Sequence, residues 1–430
     1  MKSKIKALLA DKEHRHTLLN TLLALFIRIF GALTAFLFNL IVARELGSER
    51  AGVFFLSLAI IMLTSAIARL GLPTTVLRFS SQKSNHGGSV KEILNYALLY
   101  SLTLSIFLAL LLYVSSNSVA EYMNKPLLGA ILEGISPSVI GVSAIFIIAM
   151  SLQARHKVFL SIPCQNIVHF MICAFLIVYI GNDIGNIGLL FTSSVTLTAL
   201  LFYLIAIKKL PRRTNSLDKK LFWDSARANW SITVMNQLIQ WLPQLVVGFY
   251  LLAESVAFFS VAQRIAMLTT FILMAVNLVV APKFSAFHAK GDDVGIRKTA
   301  LFSIRLLVLS ALPIVLFMLL FPEFLMGLFG DEFKQGAVIL QILVLGQAVN
   351  VVTGSVGFLL MMSGHERDMR LVTLISGFGV LISVPIFTKL FGAVGAAVAT
   401  AFFISLQNLL AVYFVKKRLG FNTLKFWQKI

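Results

Sequence analysis

The chain has 430 residues, 58% of them hydrophobic and 13% charged, with a mean hydropathy of +0.89. A soluble domain carries charge at about a quarter of its positions, so this composition excludes a soluble enzyme or binding module and fits a polytopic membrane protein. A formal net charge of +19 invites a nucleic-acid reading, and the placement of the basic residues argues against it.

The opening "MKSKIKALLADKEHRH" (1–16) is polar and basic. It lacks the short apolar core and small-residue cleavage site of a removable signal, so the first span is expected to stay. Crossing a hydrocarbon core of ~30 Å takes ~20 apolar residues. Twelve stretches qualify, near 18–43, 52–77, 93–115, 128–150, 158–180, 186–207, 226–250, 255–281, 300–321, 336–362, 369–390 and 392–415. The first carries Arg28, the second Arg69, and the fourth Glu133, the acidic residue expected inside a span. The fifth holds Cys164 and Cys173 with no His or Asp cluster beside them, which reads as two buried thiols rather than a disulfide or metal site.

The seventh stretch, "NWSITVMNQLIQWLPQLVVGFY" (229–250), is the anomaly. At 100° per residue, Asn229, Thr233, Asn236, Gln237, Gln240 and Gln244 share an arc of about 100°. Amides facing lipid would be unsatisfied, so the stripe must face protein or water. It either hydrogen-bonds neighbouring helices or lines a hydrated cavity. Pro243 removes a backbone donor inside this helix and predicts a kink. The eighth stretch repeats the pattern with Ser260, Gln263, Arg264, Met267, Thr270, Met274 and Asn277 on one face.

Lys and Arg number 27 in the termini and every second break between spans, against 5 in the intervening breaks. That asymmetry is the positive-inside signature and places both termini in the cytoplasm. The basic runs "KKLPRRTNSLDKK" (208–220) and "KKRLGFNTLKFWQK" (416–429) then sit against anionic lipid headgroups. No separate basic domain remains to hold nucleic acid. The chain also repeats itself. "LGSERAGVFFLSLAIIMLT" (46–64) aligns with "LLAESVAFFSVAQRIAMLT" (251–269), and "GNIG" (185–188) with "GAVG" (392–395), at nearly the same offset. The offset spans an even number of helices, so the halves share one orientation, with a substrate site expected between them. The predicted organisation is a six-helix bundle over 1–207, a basic linker over 208–225 and a second six-helix bundle over 226–430.

Three stretches also resemble a known family. "IVARELGSERAGVFFLSLAIIMLTSAIARLGLPTTVLRFSS" (41–81), "AESVAFFSVAQRIAMLTTFILMAVNLVVAPKFSAFHAKGD" (253–292) and "LFGAVGAAVATAF" (390–402) are similar to the Wzx-like polysaccharide flippases of the MOP exporter superfamily. Ala257 and Phe258 depart from the Gly-Tyr pair that the family favours there. The resemblance implies an all-α integral membrane fold of twelve helices in two parallel-repeat bundles around a central cavity. It implies a flippase for undecaprenyl-pyrophosphate-linked oligosaccharide (O-antigen, capsule or exopolysaccharide) in the bacterial inner membrane, working by alternating access. Expected partners are the lipid-linked oligosaccharide, anionic lipids and polysaccharide polymerase or assembly proteins. No cofactor or metal is expected, and a coupling ion, H+ or Na+, stays open.

A buried guanidinium needs a partner or a task, since a central Arg costs ~2.5–3.5 kcal/mol on insertion scales. Arg28 and Arg264, with Arg69 as a third candidate, are read as an anion site for the pyrophosphate, because the planar fork donates bidentate hydrogen bonds to phosphate. The alternative is an internal ion pair of one arginine with Glu133. Asn236, Gln237, Gln240, Gln244, Gln263 and Asn277 are the candidate sugar-binding residues. A multidrug exporter of the same superfamily would favour an aromatic, acidic pocket. A membrane glycosyltransferase or polymerase would need carboxylates on a large outer loop, whereas Asp331 and Glu332 read as a solvated loop pair. No Gly-rich phosphate loop follows a strand, so no ATPase module is expected, and with short outer loops the chain is not expected to be an enzyme.

Overall fold

The computed structural model describes residues 12–81, 90–155, 157–181, 184–208, 217–425 and 427. Within these residues the regular structure is helical. Helix α1 (Lys12–Ala68) would be about 85 Å long if straight, nearly three times a ~30 Å hydrocarbon core. It is interrupted at Gly47, whose φ of 72° and ψ of 172° suit glycine and break the helical ladder. Helix α2 (Leu72–Ser81) extends its second limb beyond a turn at Leu70 and Gly71.

Helix α3 (Val90–Val114) leads to the short α4 (Ser116–Tyr122) and then to α5 (Pro126–Ile135) and α6 (Ser138–Ala154). The last two are bent by 49° about Pro137 and together make one broken span. Helices α7 (Val158–Asn166) and α8 (Val168–Ile180) form another interrupted crossing, followed by α9 (Ile184–Ile207). The second half begins with α10 (Lys219–Tyr250), then α11 (Ala253–Ala266), α12 (Leu268–Ala289) and α13 (Asp293–Leu320). A short α14 (Pro322–Gly327) and a 3-10 turn (Asp331–Gly336) precede α15 (Ala337–Thr353), α16 (Val356–Met362) and α17 (Glu366–Leu419).

Eight helices, or nine with the bent α5–α6 pair, are long and apolar enough to cross a membrane among the described residues. Two of them hide a second crossing: α1 breaks at Gly47, and α17 at Phe391–Gly392. Helix α10 spans 32 residues, and its polar stripe keeps it out of an apolar count. The arrangement is consistent with twelve crossings at the expected positions. Both internal echoes fall at helix breaks: Gly47 is matched by Leu252 between α10 and α11, and the start of α9 by the break in α17.

One expectation changes. Asp218 caps α10 by accepting from the Leu221 N–H at 3.0 Å, so the helix starts at Lys219, inside the segment expected to be linker. Residues 209–216 of that linker lie outside the described residues. Helix α10 runs through Pro243 as one continuous helix. Cys164 and Cys173 are free and buried, as read from their apolar setting.

The two halves meet closely. Helix α1 packs on α10 and α11, and Gly52 lies so near Ala253 that an added Cβ would fall 1.8 Å from the Ala253 carbonyl oxygen. One apolar core runs from the first half through Phe54 and Phe55 to Phe258 and Phe259 of the second. A separate cluster around Phe284, Leu360 and Val415 fills the far end of the second half. The charge asymmetry predicts which end faces out. Single cysteines replacing Ser118 or Gln335 should react with an impermeant maleimide on intact cells, and cysteines replacing Asp292 or Glu366 should not. The reverse pattern would invert the orientation.

Candidate functional site

A cavity of about 220 Å³ opens among α10, α11, α15 and both limbs of α17. Its wall carries five amides, Asn236, Gln240, Gln263, Gln347 and Gln407, two hydroxyls, Ser376 and Thr400, and, among the described residues, no charged side chain. Helical spacing explains the first two, since Asn236 and Gln240 lie one turn apart on α10. Gln263 comes from the facing α11, and its Nε2 donates to the Gln240 carbonyl at 3.3 Å. Gln347 is held in turn by Asn350, whose Nδ2 donates to Gln347 Oε1 at 3.2 Å.

The rest of the α10 stripe is spent on packing. Gln244 is buried and donates its Nε2 to the Phe55 carbonyl of α1, joining the halves. Gln237 Oε1 accepts from Trp241 Nε1 at 2.9 Å, one turn along the same helix. Asn229 Nδ2 reaches Thr75 Oγ1 at 3.4 Å and Ser225 Oγ at 3.5 Å. Thr233 is half-buried and is not on the cavity wall. Asn277 on α12 lies buried away from the cavity, and its Oδ1 has no hydrogen-bond partner among the described residues. The stripe therefore divides between cavity and packing.

The cavity also sits within the second half rather than between the halves, as every residue on its wall lies beyond 235. The sequence reading missed Gln347, Gln407, Ser376 and Thr400. Gln347 shares α15 with Gln341 and Asn350, and Ser376, Thr400 and Gln407 are scattered along α17 among other hydroxyls and amides, so the cost of polar groups in hydrocarbon was the available signal.

The three arginines take separate positions off the cavity wall. Arg264 lies one residue from Gln263, and its Cζ stands 4.2 Å from the Phe55 ring centroid. Arg69 is buried with its Cζ 3.9 Å from the Phe146 ring centroid, and its Nε donates to the Ser65 carbonyl at 3.1 Å. Such cation–π contacts contribute ~2 kcal/mol when desolvated. Arg28 is half-buried on the first limb of α1. No ion pair among the described residues joins any of them to a carboxylate. Glu133 instead accepts from Ser116 Oγ at 3.3 Å and Asn117 Nδ2 at 3.2 Å, next to α4. That contact stands in place of the alternative ion pair with an arginine, because α4 offers uncharged donors at close range.

The α4 end of the bundle is sealed by polar contacts between the halves. Lys125 Nζ donates to the carbonyls of Gly248 and, at 2.8 Å, Leu251. Burial lowers the Lys125 pKa from its ordinary value. Glu332 accepts from the Ser48 N–H at 2.6 Å and the Ser48 hydroxyl at 2.9 Å. Ser48 starts the second limb of α1, so this carboxylate satisfies an orphan N–H where the helix dipole favours negative charge. Arg44 Nε adds a bond to the Leu328 carbonyl at 2.7 Å. Asp331 pairs with Lys334 at 2.7 Å, so the expected solvated loop pair is instead two carboxylates with different partners.

Residues 41–337 match the family model described as "Polysaccharide biosynthesis protein". The chain belongs to that family. Over 415 residues it is 25% identical to the probable low-salt glycan biosynthesis flippase Agl15 of Haloferax volcanii, covering 93% of this chain and 82% of that protein. Its fold is that of the MOP transporters. The lipid II flippase MurJ in an inward closed conformation superposes with a TM-score of 0.73 at 16% identity, over 92% of this chain and 87% of MurJ. An inward-facing multidrug resistance MATE transporter gives 0.71 at 14% identity, over 90% and 94%. For this member of the polysaccharide biosynthesis family, the two roles within one stripe should separate on heating. Gln244→Leu should lower stability by ~0.6–1.7 kcal/mol, the range for interhelical hydrogen bonds in membranes. Gln240→Leu should leave the unfolding temperature in detergent unchanged.

Proposed function

We propose that this chain carries lipid-linked oligosaccharides across a membrane by alternating access, with the two halves moving against each other and the amide cavity of the second half receiving the glycan. The observation that carries the reading is the wall itself, which offers donors and acceptors and no charge. Sugar hydroxyls both donate and accept, and neutral amides match both roles. Polar groups held in a low-dielectric interior cost free energy unless a ligand or water satisfies them. The likeness to a glycan flippase over nearly the full chain supports the cargo class, and the family supports polysaccharide assembly. A polyprenyl tail would stay in lipid while the glycan crosses, the carrier being undecaprenyl pyrophosphate in a bacterial inner membrane with both termini cytoplasmic.

Arg264 is the first candidate for the pyrophosphate. It adjoins cavity residue Gln263 and has a ring, not a carboxylate, as its partner. Arg28, half-buried in the first span, is the second candidate. Arg69 is enclosed by Phe146 and Ser65 and serves packing. The shared MATE fold does not favour a cationic drug as cargo, because that cargo would call for a carboxylate and none lines this cavity.

The reading is tested by expressing variants in the native host deprived of its own copy. Gln240→Leu combined with Gln347→Leu should lower surface glycan about tenfold at unchanged protein level, as a loss of ~1.4 kcal/mol of cargo binding requires. Arg264→Lys should retain part of the activity that Arg264→Ala loses, since charge survives without the bidentate fork. Full surface glycan with both glutamines replaced would remove the cavity from the transport path.

A further inference from the structure

A second recess, of about 470 Å³, lies at the seam between the halves and is lined by Leu70, Tyr100, Trp223, Arg227 and Trp230. Its depth in the membrane follows from the length of α10. That helix is about 48 Å long, against ~30 Å of hydrocarbon. With Tyr250 at the outer boundary, roughly the first dozen residues project past the inner one. Trp223, Arg227 and Trp230 therefore sit at headgroup level in the cytoplasmic leaflet.

Interfacial tryptophans and tyrosines usually anchor a membrane protein by turning their polar tips toward headgroups and water. These indoles are arranged differently. Trp223 Nε1 donates to the Tyr96 hydroxyl at 3.1 Å, and Trp230 Nε1 donates to the Ile67 carbonyl at 3.1 Å. Both polar tips are spent inside the protein, so the recess is offered ring surface. Tyr100 and Trp223 meet edge to face, with centroids 5.0 Å apart at 87°, which fixes a corner of two perpendicular rings. Arg227 is largely exposed and touches Asp224 at 3.7 Å, leaving most of its five N–H donors free for a ligand.

The backbone beneath is unusual as well. Leu70 has φ of 50° and Gly71 φ of 70°, and a side chain at 71 would collide with the Ala226 carbonyl. A branched residue such as Leu seldom adopts a left-handed conformation, and such strain gathers at ligand and switch sites. Here the strained turn brings the Leu70 side chain to the recess where α10 crosses the first half.

We propose that this recess docks the sugar–phosphate headgroup of a lipid-linked glycan in the cytoplasmic leaflet, ahead of its entry into the transport cavity. The C–H face of a pyranose stacks on the ring surfaces of Trp223, Trp230 and Tyr100, whose faces carry the negative side of the quadrupole. The phosphate is held by the Arg227 fork, and the apolar chain runs into the adjoining lipid. The cargo class rests on the function proposed above.

The test uses the full chain in lipid nanodiscs with two probes, farnesyl diphosphate and N-acetylglucosamine linked to farnesyl diphosphate. Tyr100→Leu and Trp223→Leu should weaken the sugar-bearing probe roughly tenfold and leave the sugar-free probe within about twofold. Arg227→Gln should weaken both, and Trp230→Phe, which keeps a ring, should weaken neither. Tyr100 and Arg227 are exposed, so their variants test the idea even where Trp223→Leu disturbs the fold. Wild-type affinity for both probes in Tyr100→Leu and Arg227→Gln overturns the proposal, as does an equal loss for both probes in the aromatic variants. A wild-type protein that flips glycolipid in vesicles while these variants bind normally removes the recess alone. A wild-type protein that binds neither probe and flips nothing removes the transport reading with it.

Discussion

Hydrocarbon supplies no hydrogen bonds, and from that constraint the arrangement of this molecule follows. Every amide carried into the membrane must be satisfied by protein, by water or by cargo. Gln244, Gln237 and Asn229 find protein partners on α1, α10 and α2. Asn236, Gln240, Gln263, Gln347 and Gln407 converge on one cavity, Gln263 and Gln347 with a protein partner as well. Packing alone would not gather amides from four helical segments around an open space. In the function proposed for this chain a hydroxyl-rich ligand would satisfy them, with water holding the place until it arrives.

The same constraint shapes the contacts that hold the halves together. Phe55 is a node: its carbonyl accepts from Gln244 on α10, and its ring faces Arg264 on α11. At the α4 end, Lys125, Glu332 and Arg44 each bond to backbone across the seam. Hydrogen bonds to charged groups contribute ~1.5–3 kcal/mol each, so opening this end exposes several such groups at once. Cargo shifts the balance only through stronger binding to the open state, and a charged headgroup can replace some of the contacts that opening breaks. A seal of a few strong bonds suits a two-state motion, since it breaks as a unit.

Much of this was legible in the sequence. The span positions, the internal echoes at 47 and 252, and the polar face of α10 follow from hydropathy, periodicity and the cost of amides in lipid. The division of that face was not legible, because adjacent positions on one helix meet different neighbours, and only packing shows that Gln244 touches Phe55 while Gln240 reaches the cavity. Gln347 and Gln407 carried no clear stripe, since the amides beside them, Asn350 and Asn408, do not extend into a polar face as long as that of α10. The partner of Glu133 was not legible for a related reason. Counting charges inside spans offers an arginine as an alternative, whereas α4 brings Ser116 and Asn117 within 3.3 Å. Phenylalanine as the partner of Arg69 and Arg264 escapes sequence reasoning altogether, since 36 phenylalanines are available.

The central claim is that an uncharged amide cavity moves glycans and not cations. It is tested most directly with purified protein in vesicles loaded with a fluorescent polyprenyl-diphosphate oligosaccharide, following loss of label accessibility to a quencher outside. The account predicts protein-dependent translocation of the glycolipid and no uptake of tetraphenylphosphonium under an imposed proton or sodium gradient. Gradient-driven movement of that cation, with the glycolipid left in its original leaflet, would contradict it.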